Sequence, residues 1–545
     1  MNARSNNPFP HFLAAVLLGG LAWQIYPWCS DEMLFFPWLF VIFSGLSFLV
    51  SIKLLLLFVI PQFWRYSRIK RVNNRVGSAG WSGPKEMRKA RFHKREGYFC
   101  GTYNRRAVFA SVETNLLVLG PAGSGKSTVF VIPNLLHNPM SMIVIDLKAT
   151  LAAVTAKARG SFLKNKIFCL DPTGKVEAIL GPSARYNLLQ ILIDDWDNVH
   201  RHASLISDAK AIAHQLVPEP SQHSENRYFR EGTRKFLIFS FVYLVTQKDS
   251  PTLTDAFVLL SDKEELSVAL YEACSVNILN GDLALRAKDI LIKLDEGDTK
   301  QIESFREGAM QALDEFSPSG NLSAISGVSD FRFADLKDPN AATTVYIIAD
   351  PTDQKSYSSW MGLLSWCAFT ELLRSKQRAP VCFMGDEITN FKVDILPSLL
   401  TTAREFKIML CLVVQELEEW VKTYGRESLE TLISQTEAKL ILGASNPKTC
   451  TLISEMLGEK PQMHLNHNLG QSFFSPLTRS LSEGGRKLMT PDEVRRCDKA
   501  IFFYRKMKPV LLEPMSYHKV SPWKHRADIN PKFGKKFRAW TRLRV

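Results

Sequence analysis

Glycines 120, 123 and 125, followed by Lys126 and Ser127, stand in the run GPAGSGKS. Residues of these types at this spacing hold phosphate. The glycines let backbone N–H groups converge on an anion, the lysine ammonium reaches the β and γ phosphates, and the serine hydroxyl ligates Mg²⁺. Such a loop needs a strand before it and a helix N-terminus after it. LLVL (116–119) is the expected strand, and a helix is expected from Ser127 to Pro133. The nucleotide-binding residues are then Gly120, Pro121, Ala122, Gly123, Ser124, Gly125, Lys126, Ser127 and Thr128, with ATP and Mg²⁺ as the ligands.

Hydrolysis needs an acid at the metal and a base for water. Two strands end in acids: MIVID (142–146) in Asp146, and VCFMGDE (381–387) in Asp386 and Glu387. Both are short and apolar, as strands buried in a parallel sheet are. Only the second offers adjacent carboxylates, which assigns Asp386, with Ser127, to the Mg²⁺ shell and Glu387 to the water. KIMLCLVVQ (407–415) ends in an amide. Ligands of open α/β sheets sit beyond the carboxyl ends of the strands, which directs Gln415 to the γ-phosphate or the attacking water. Arg404, just before that strand, either stays with its own subunit as a surface charge or reaches a neighbour's nucleotide. The catalytic set is thus Lys126, Glu387, Gln415 and Arg404.

The elements that carry these residues fill only part of a 545-residue chain, long enough for several cores. Its net charge of +14 is uneven. Residues 61–107 hold thirteen Lys and Arg against Glu86 and Glu96, and residues 519–545 hold nine against Asp528. The remainder is mildly acidic. Nine scattered cysteines form no C-x-x-C pair, as expected of reduced thiols, and the pairs His200/His202 and His464/His467 lack the further ligands of a zinc site.

Two uncharged apolar runs, 12–28 and 33–52, are separated by Cys29-Ser30-Asp31-Glu32. Each approaches the roughly 20 residues needed to cross a bilayer, and so short a link makes a hairpin. A leader peptide is the alternative, but the region lacks a small-x-small cleavage site. The cations that follow place both termini and the body on the cytoplasmic side. From Asn187 to about Gly327 helical spacing dominates, as in KFLIFSFVYLV (235–245) and LRAKDILIKLDE (285–296); TTVYIIADP (343–351) then resumes the sheet. The expected organisation is a transmembrane hairpin and basic stem (1–75), a nucleotide-binding domain in two parts (76–187 and 328–518), an all-α domain between them (188–327), and a basic tail (519–545). The tail interleaves cations with Trp523, Phe533, Phe537 and Trp540. Those residues suit DNA binding by charge and stacking, or a solvated end.

The order of a two-helix anchor, GSAGW (77–81), GPAGSGKSTVFVIPNLL (120–136), IDLK (145–148), LDP (170–172), NLL (187–189), GDEITNF (385–391), VVQ (413–415) and GRKLMTPDEVRR (485–496) resembles the type IV coupling proteins over nearly the whole chain. The resemblance implies a RecA-like P-loop α/β domain with a mostly parallel sheet, interrupted by an all-α domain. It also implies an inner-membrane hexamer with ATP between subunits, which recruits a relaxase with single- or double-stranded DNA and passes it to type IV secretion channel components. Where the family continues Asp-x-Lys with Gly-Glu, this chain has Ala149 and Thr150. Where some members end in an acidic tail, this one ends basic. The alternatives are a motor for protein effectors and a nucleotide-switched docking scaffold; a water-activating Glu387 argues against the scaffold.

Overall fold

A computed structural model describes residues 77–219, 226–295, 299–350, 354–468 and 478–531, together with 45–46, 534 and 541–542. The chain divides into two compact units, one of residues 1–78 and 459–486, the other of 79–458 and 487–545. In the smaller, strand-forming residues pair as a two-stranded ladder that runs on to Lys487. The apolar runs expected to cross the membrane lie outside the described residues. Among those described, no helix is long and apolar enough to do so.

The larger unit is built on one sheet. In chain order its strands up to Leu512 are β1 (Tyr98–Tyr103), β2 (Arg106–Ala110), β3 (Asn115–Leu119), β4 (Ser141–Asp146), β5 (Lys166–Leu170), β6 (Thr343–Ile348), β7 (Val381–Asp386), β8 (Ile408–Val414), β9 (Thr436–Ile441), β10 (Ala500–Tyr504) and β11 (Val510–Leu512). β1 and β2 form a separate antiparallel hairpin. The other nine order as β11-β10-β9-β3-β8-β7-β4-β6-β5. Every pair from β9 to β5 is parallel, and β10 and β11 add an antiparallel edge. β3, β4, β6 and β8 are buried at every position, because a parallel sheet is covered on both faces.

Alternate residues of each strand serve the two faces. Leu117, Leu119, Ile143 and Ile145 join the core formed with the helices between β5 and β6. Leu116, Val118, Met142 and Val144 join the opposite core, with the β1–β2 hairpin and the helix Thr150–Ser161. Between β5 and β6 the described residues contain helices and no strand, the longest helix being Arg227–Gln247. These helices share one continuous core with the sheet.

Two local expectations change. The helix after the phosphate loop does not stop at Pro133. Its first turn, Lys126–Val131, is wound in the wider π form, and an α turn, Ile132–Leu135, continues past the proline. The missing proline N–H falls where the winding switches, so no regular hydrogen bond is lost there. In the C-terminal segment, Trp523 is not available for stacking on bases. It is 2% exposed and packs on Phe99 with ring centroids 4.3 Å apart. Phe533, Phe537 and Trp540 lie outside the described residues.

Candidate active site

The strand order determines which side chains meet. β8 lies between β3 and β7, and the register aligns Leu119 with Val414 and Asp386 with Val413. The phosphate loop, Gln415 and Glu387 therefore leave the sheet at one level of its carboxyl edge. β3 and β7 are two strand spacings apart, roughly 10 Å. The first helical turn spans that gap: the Ser127 hydroxyl donates to Asp386 Oδ2 at 3.2 Å, across 259 residues of sequence.

The loop has the backbone its glycines predict. Gly123 and Gly125 have φ of 81° and 83°, the left-handed region in which a side chain is strained. A Cβ on Gly120 would stand 2.5 Å from Ser124 Oγ and 3.2 Å from Leu442 Cβ, so the Ser124 hydroxyl would have to shift to admit one. Lys126 is 7% exposed, and its ammonium donates to the carbonyls of Gly120 at 2.5 Å and Pro121 at 3.1 Å. Burial lowers its pKa, opposed by the Asp386 and Glu387 carboxylates. Thr128 Oγ1 donates to the Gly125 carbonyl and steadies the turn.

The donor set fits Mg²⁺. Asp386 is pushed up to about 6, by burial first and by the Glu387 charge second. Its Oδ1 is buried with no hydrogen-bond partner, as is Ser124 Oγ. A buried carboxylate with an unsatisfied oxygen beside a serine hydroxyl matches a hard cation that takes one or two protein oxygens and fills its shell with phosphate and water. Asp146, the other candidate acid, has a different task. It is 2% exposed, and its oxygens accept the N–H groups of Ala152 at 2.8 Å and Lys148 at 3.3 Å. It caps the helix Thr150–Ser161, and burial pushes it up to about 7.

Glu387 follows at φ 53°, an unusual backbone for a non-glycine residue and one that concentrates at functional sites. Its Oε1 accepts the Lys148 ammonium at 2.6 Å and its Oε2 accepts from Asn390 Nδ2 at 3.3 Å. Sequence reasoning gave neither partner a role, although both stand inside quoted motifs, IDLK and GDEITNF.

Lys126, Ser127, Asp386, Glu387 and Gln415 thus converge on one edge, whereas Arg404 lies elsewhere. It sits in the turn Ala403–Phe406 that precedes β8, and its guanidinium is 3.5 Å from Glu113, which precedes β3. Both side chains are mostly exposed. Arg404 occupies the amino edge of the sheet, about 20 Å along the strands from its own phosphate loop.

Comparison with known proteins places the chain among relatives. Residues 70–537 match the family described as Type IV secretory system Conjugative DNA transfer. Protein VirD4 of Rhizobium rhizogenes is 23% identical over 496 residues, which cover 88% of this chain and 70% of that protein. Conjugal transfer protein TraG of Escherichia coli is 21% identical over 524 residues, 87% of this chain and 79% of that one. Among solved structures, the plasmid coupling protein TrwB in complex with the ATP analogue ADPNP superposes with a TM-score of 0.56 at 16% identity, covering 81% of this chain and 94% of TrwB. TrwB in complex with ADP and Mg²⁺ gives 0.55 at 16% identity, covering 80% and 94%. With the match extending over most of its length, this chain belongs to the type IV secretory system conjugative DNA transfer family.

Proposed function

We propose that this protein is the inner-membrane ATPase of a type IV secretion or conjugation system, which recruits a relaxase–DNA substrate and couples ATP hydrolysis to its delivery into the secretion channel. The observation that carries this is the Ser127–Asp386 hydrogen bond, with Glu387 next in sequence. It puts a phosphate loop and a pair of carboxylates in one site within a chain of the conjugative transfer family. That TrwB was solved with ADPNP and with ADP and Mg²⁺ supports the same ligands here.

In the mechanism this geometry supports, Lys126 exchanges its loop carbonyls for the β and γ phosphates. Ser127 and Asp386 would hold Mg²⁺, which when bound neutralises charge on those phosphates. Glu387 takes the proton of a water whose oxygen bonds to the γ-phosphorus as the bond to the bridging oxygen of ADP breaks. Gln415, entering between the loop and Glu387, donates to that water or to the γ-phosphate. The nucleotide sits between subunits of a ring of six, with Arg404 contributed by the neighbour. The hairpin within residues 1–75 anchors the ring, with both termini and the motor in the cytoplasm. DNA is held through its phosphates by Lys and Arg, a contact independent of base sequence and weakened steeply by salt.

The test is ATP turnover by the full chain in detergent. Single- or double-stranded DNA should raise the rate at low salt, and the increase should vanish at high salt; a rate indifferent to DNA removes the coupling to DNA. Glu387→Gln should retain nucleotide binding and lose at least about 100-fold in turnover. An unchanged rate overturns the assignment of the base.

A further inference from the structure

The turn after β4 supplies a lysine to the site. Lys148 Nζ lies 2.6 Å from Glu387 Oε1, and the two residues stand at the ends of adjacent strands. This differs from an ordinary surface pair at both ends. The backbone N–H of Lys148 is fixed from beneath by the buried Asp146 carboxylate, and the next residue, Ala149, has φ 54°. Glu387 has φ 53°. Each partner is therefore presented by a turn in or beside a left-handed conformation, which persists only where surrounding structure enforces it.

The strand order gives the pair a direction. The phosphate loop follows β3 and Gln415 follows β8, both on one side of β7, whereas Lys148 follows β4 on the other side. The ion pair thus holds Glu387 toward β4, on the side opposite β8 and Gln415. With Asn390 on the second oxygen, the carboxylate is engaged at both oxygens. Lys148 is 59% exposed at its side chain, so water screens its end of the pair, while Glu387 is 14% exposed. The pair is readily exchanged for another contact.

We propose that Lys148 is a positioning residue that latches the hydrolytic carboxylate of Glu387 out of line, so that turnover awaits release of this pair. The inference rests on Glu387 being the residue that handles water. Release frees one carboxylate oxygen to accept a proton from water on the β8 side, and the freed ammonium keeps the Asp386 carboxylate within electrostatic reach.

The experiment is steady-state ATP turnover by the full chain in detergent, with and without a single-stranded oligonucleotide, for wild type, Lys148→Met and Lys148→Arg. Lys148→Met should raise the DNA-free kcat several-fold, leave KM for ATP within about twofold, and reduce the stimulation by DNA. Lys148→Arg, which keeps the cation, should restore the low basal rate. A Lys148→Met protein with unchanged or lower kcat and full DNA stimulation overturns the latch, provided its melting temperature and binding of a fluorescent ATP analogue match wild type. If either differs, Lys148→Gln is measured in its place and judged by the same outcomes. Glu387→Gln separates the two levels. Loss of its turnover with no effect at Lys148 removes the latch alone, whereas its continued turnover removes the reading beneath it.

Discussion

Arg159 shows how a single side chain far from the chemistry holds the site together. Its guanidinium is fully buried with no carboxylate beside it among the described residues, and it donates to the carbonyls of Leu135, Asn138 and Met140 and to the Thr344 hydroxyl. Those carbonyls lie where the phosphate-loop helix ends and the chain turns into β4, so one cation fastens the loop helix to the strand that carries Asp146. Arg159→Met should lower stability to urea by about 2–4 kcal/mol, because two buried carbonyls and one half-buried one lose their donors. A midpoint unchanged from wild type excludes this role. At the same scale the two acids divide by environment: Asp146 spends its oxygens on backbone N–H groups, while Asp386 keeps one unpaired beside Ser127.

The segment after β4 carries its consequence at the level of the element. Ala149 has a φ of 54°, where a Cβ crowds the carbonyl. Ala149→Gly should therefore stabilise the protein by about 0.5–1 kcal/mol, the relief of strain less the extra freedom of glycine in the unfolded chain. A raised urea midpoint at unchanged slope is the expected result; a lowered one shows that the turn is not strained. The phosphate-loop helix is tied on its other side by Asn134. That amide accepts from Phe99 N–H and donates to the carbonyls of Phe99 and Phe130, joining the β1–β2 hairpin to the helix.

Across the whole molecule, the parallel sheet separates two chemistries. Its carboxyl edge carries the phosphate loop and the Asp386 and Glu387 carboxylates, and its amino edge presents Arg404 beside Glu113. An arginine so placed acts on a nucleotide only if a second subunit brings its carboxyl edge alongside. Arg404→Ala should bind a fluorescent ATP analogue as wild type does, yet lose at least about 100-fold in turnover. Mixing it with Lys126→Ala should recover part of the rate, because each subunit lends what the other lacks. Wild-type turnover by Arg404→Ala, or no recovery on mixing, removes the contribution in trans.

The phosphate loop, the acid pair on β7 and the helical character of the segment before β6 were all legible in the sequence. Each is a local pattern: glycine spacing within eight residues, two acids closing an apolar strand, or a helical period. The helix's continuation past Pro133, where Asn134 is held by Phe99, and the burial of Trp523 escaped, because both involve neighbours far along the chain. The same holds for Lys148, which meets Glu387 across 239 residues. By itself the sequence determined the chemical groups and the strands that carry them. Only the tertiary structure decided that β8 enters between β3 and β7, that Lys148 stands on the far side of Glu387, and that Arg404 faces the opposite edge. The physical reason is that strand order is settled by which buried faces pack together, and no single segment contains that information.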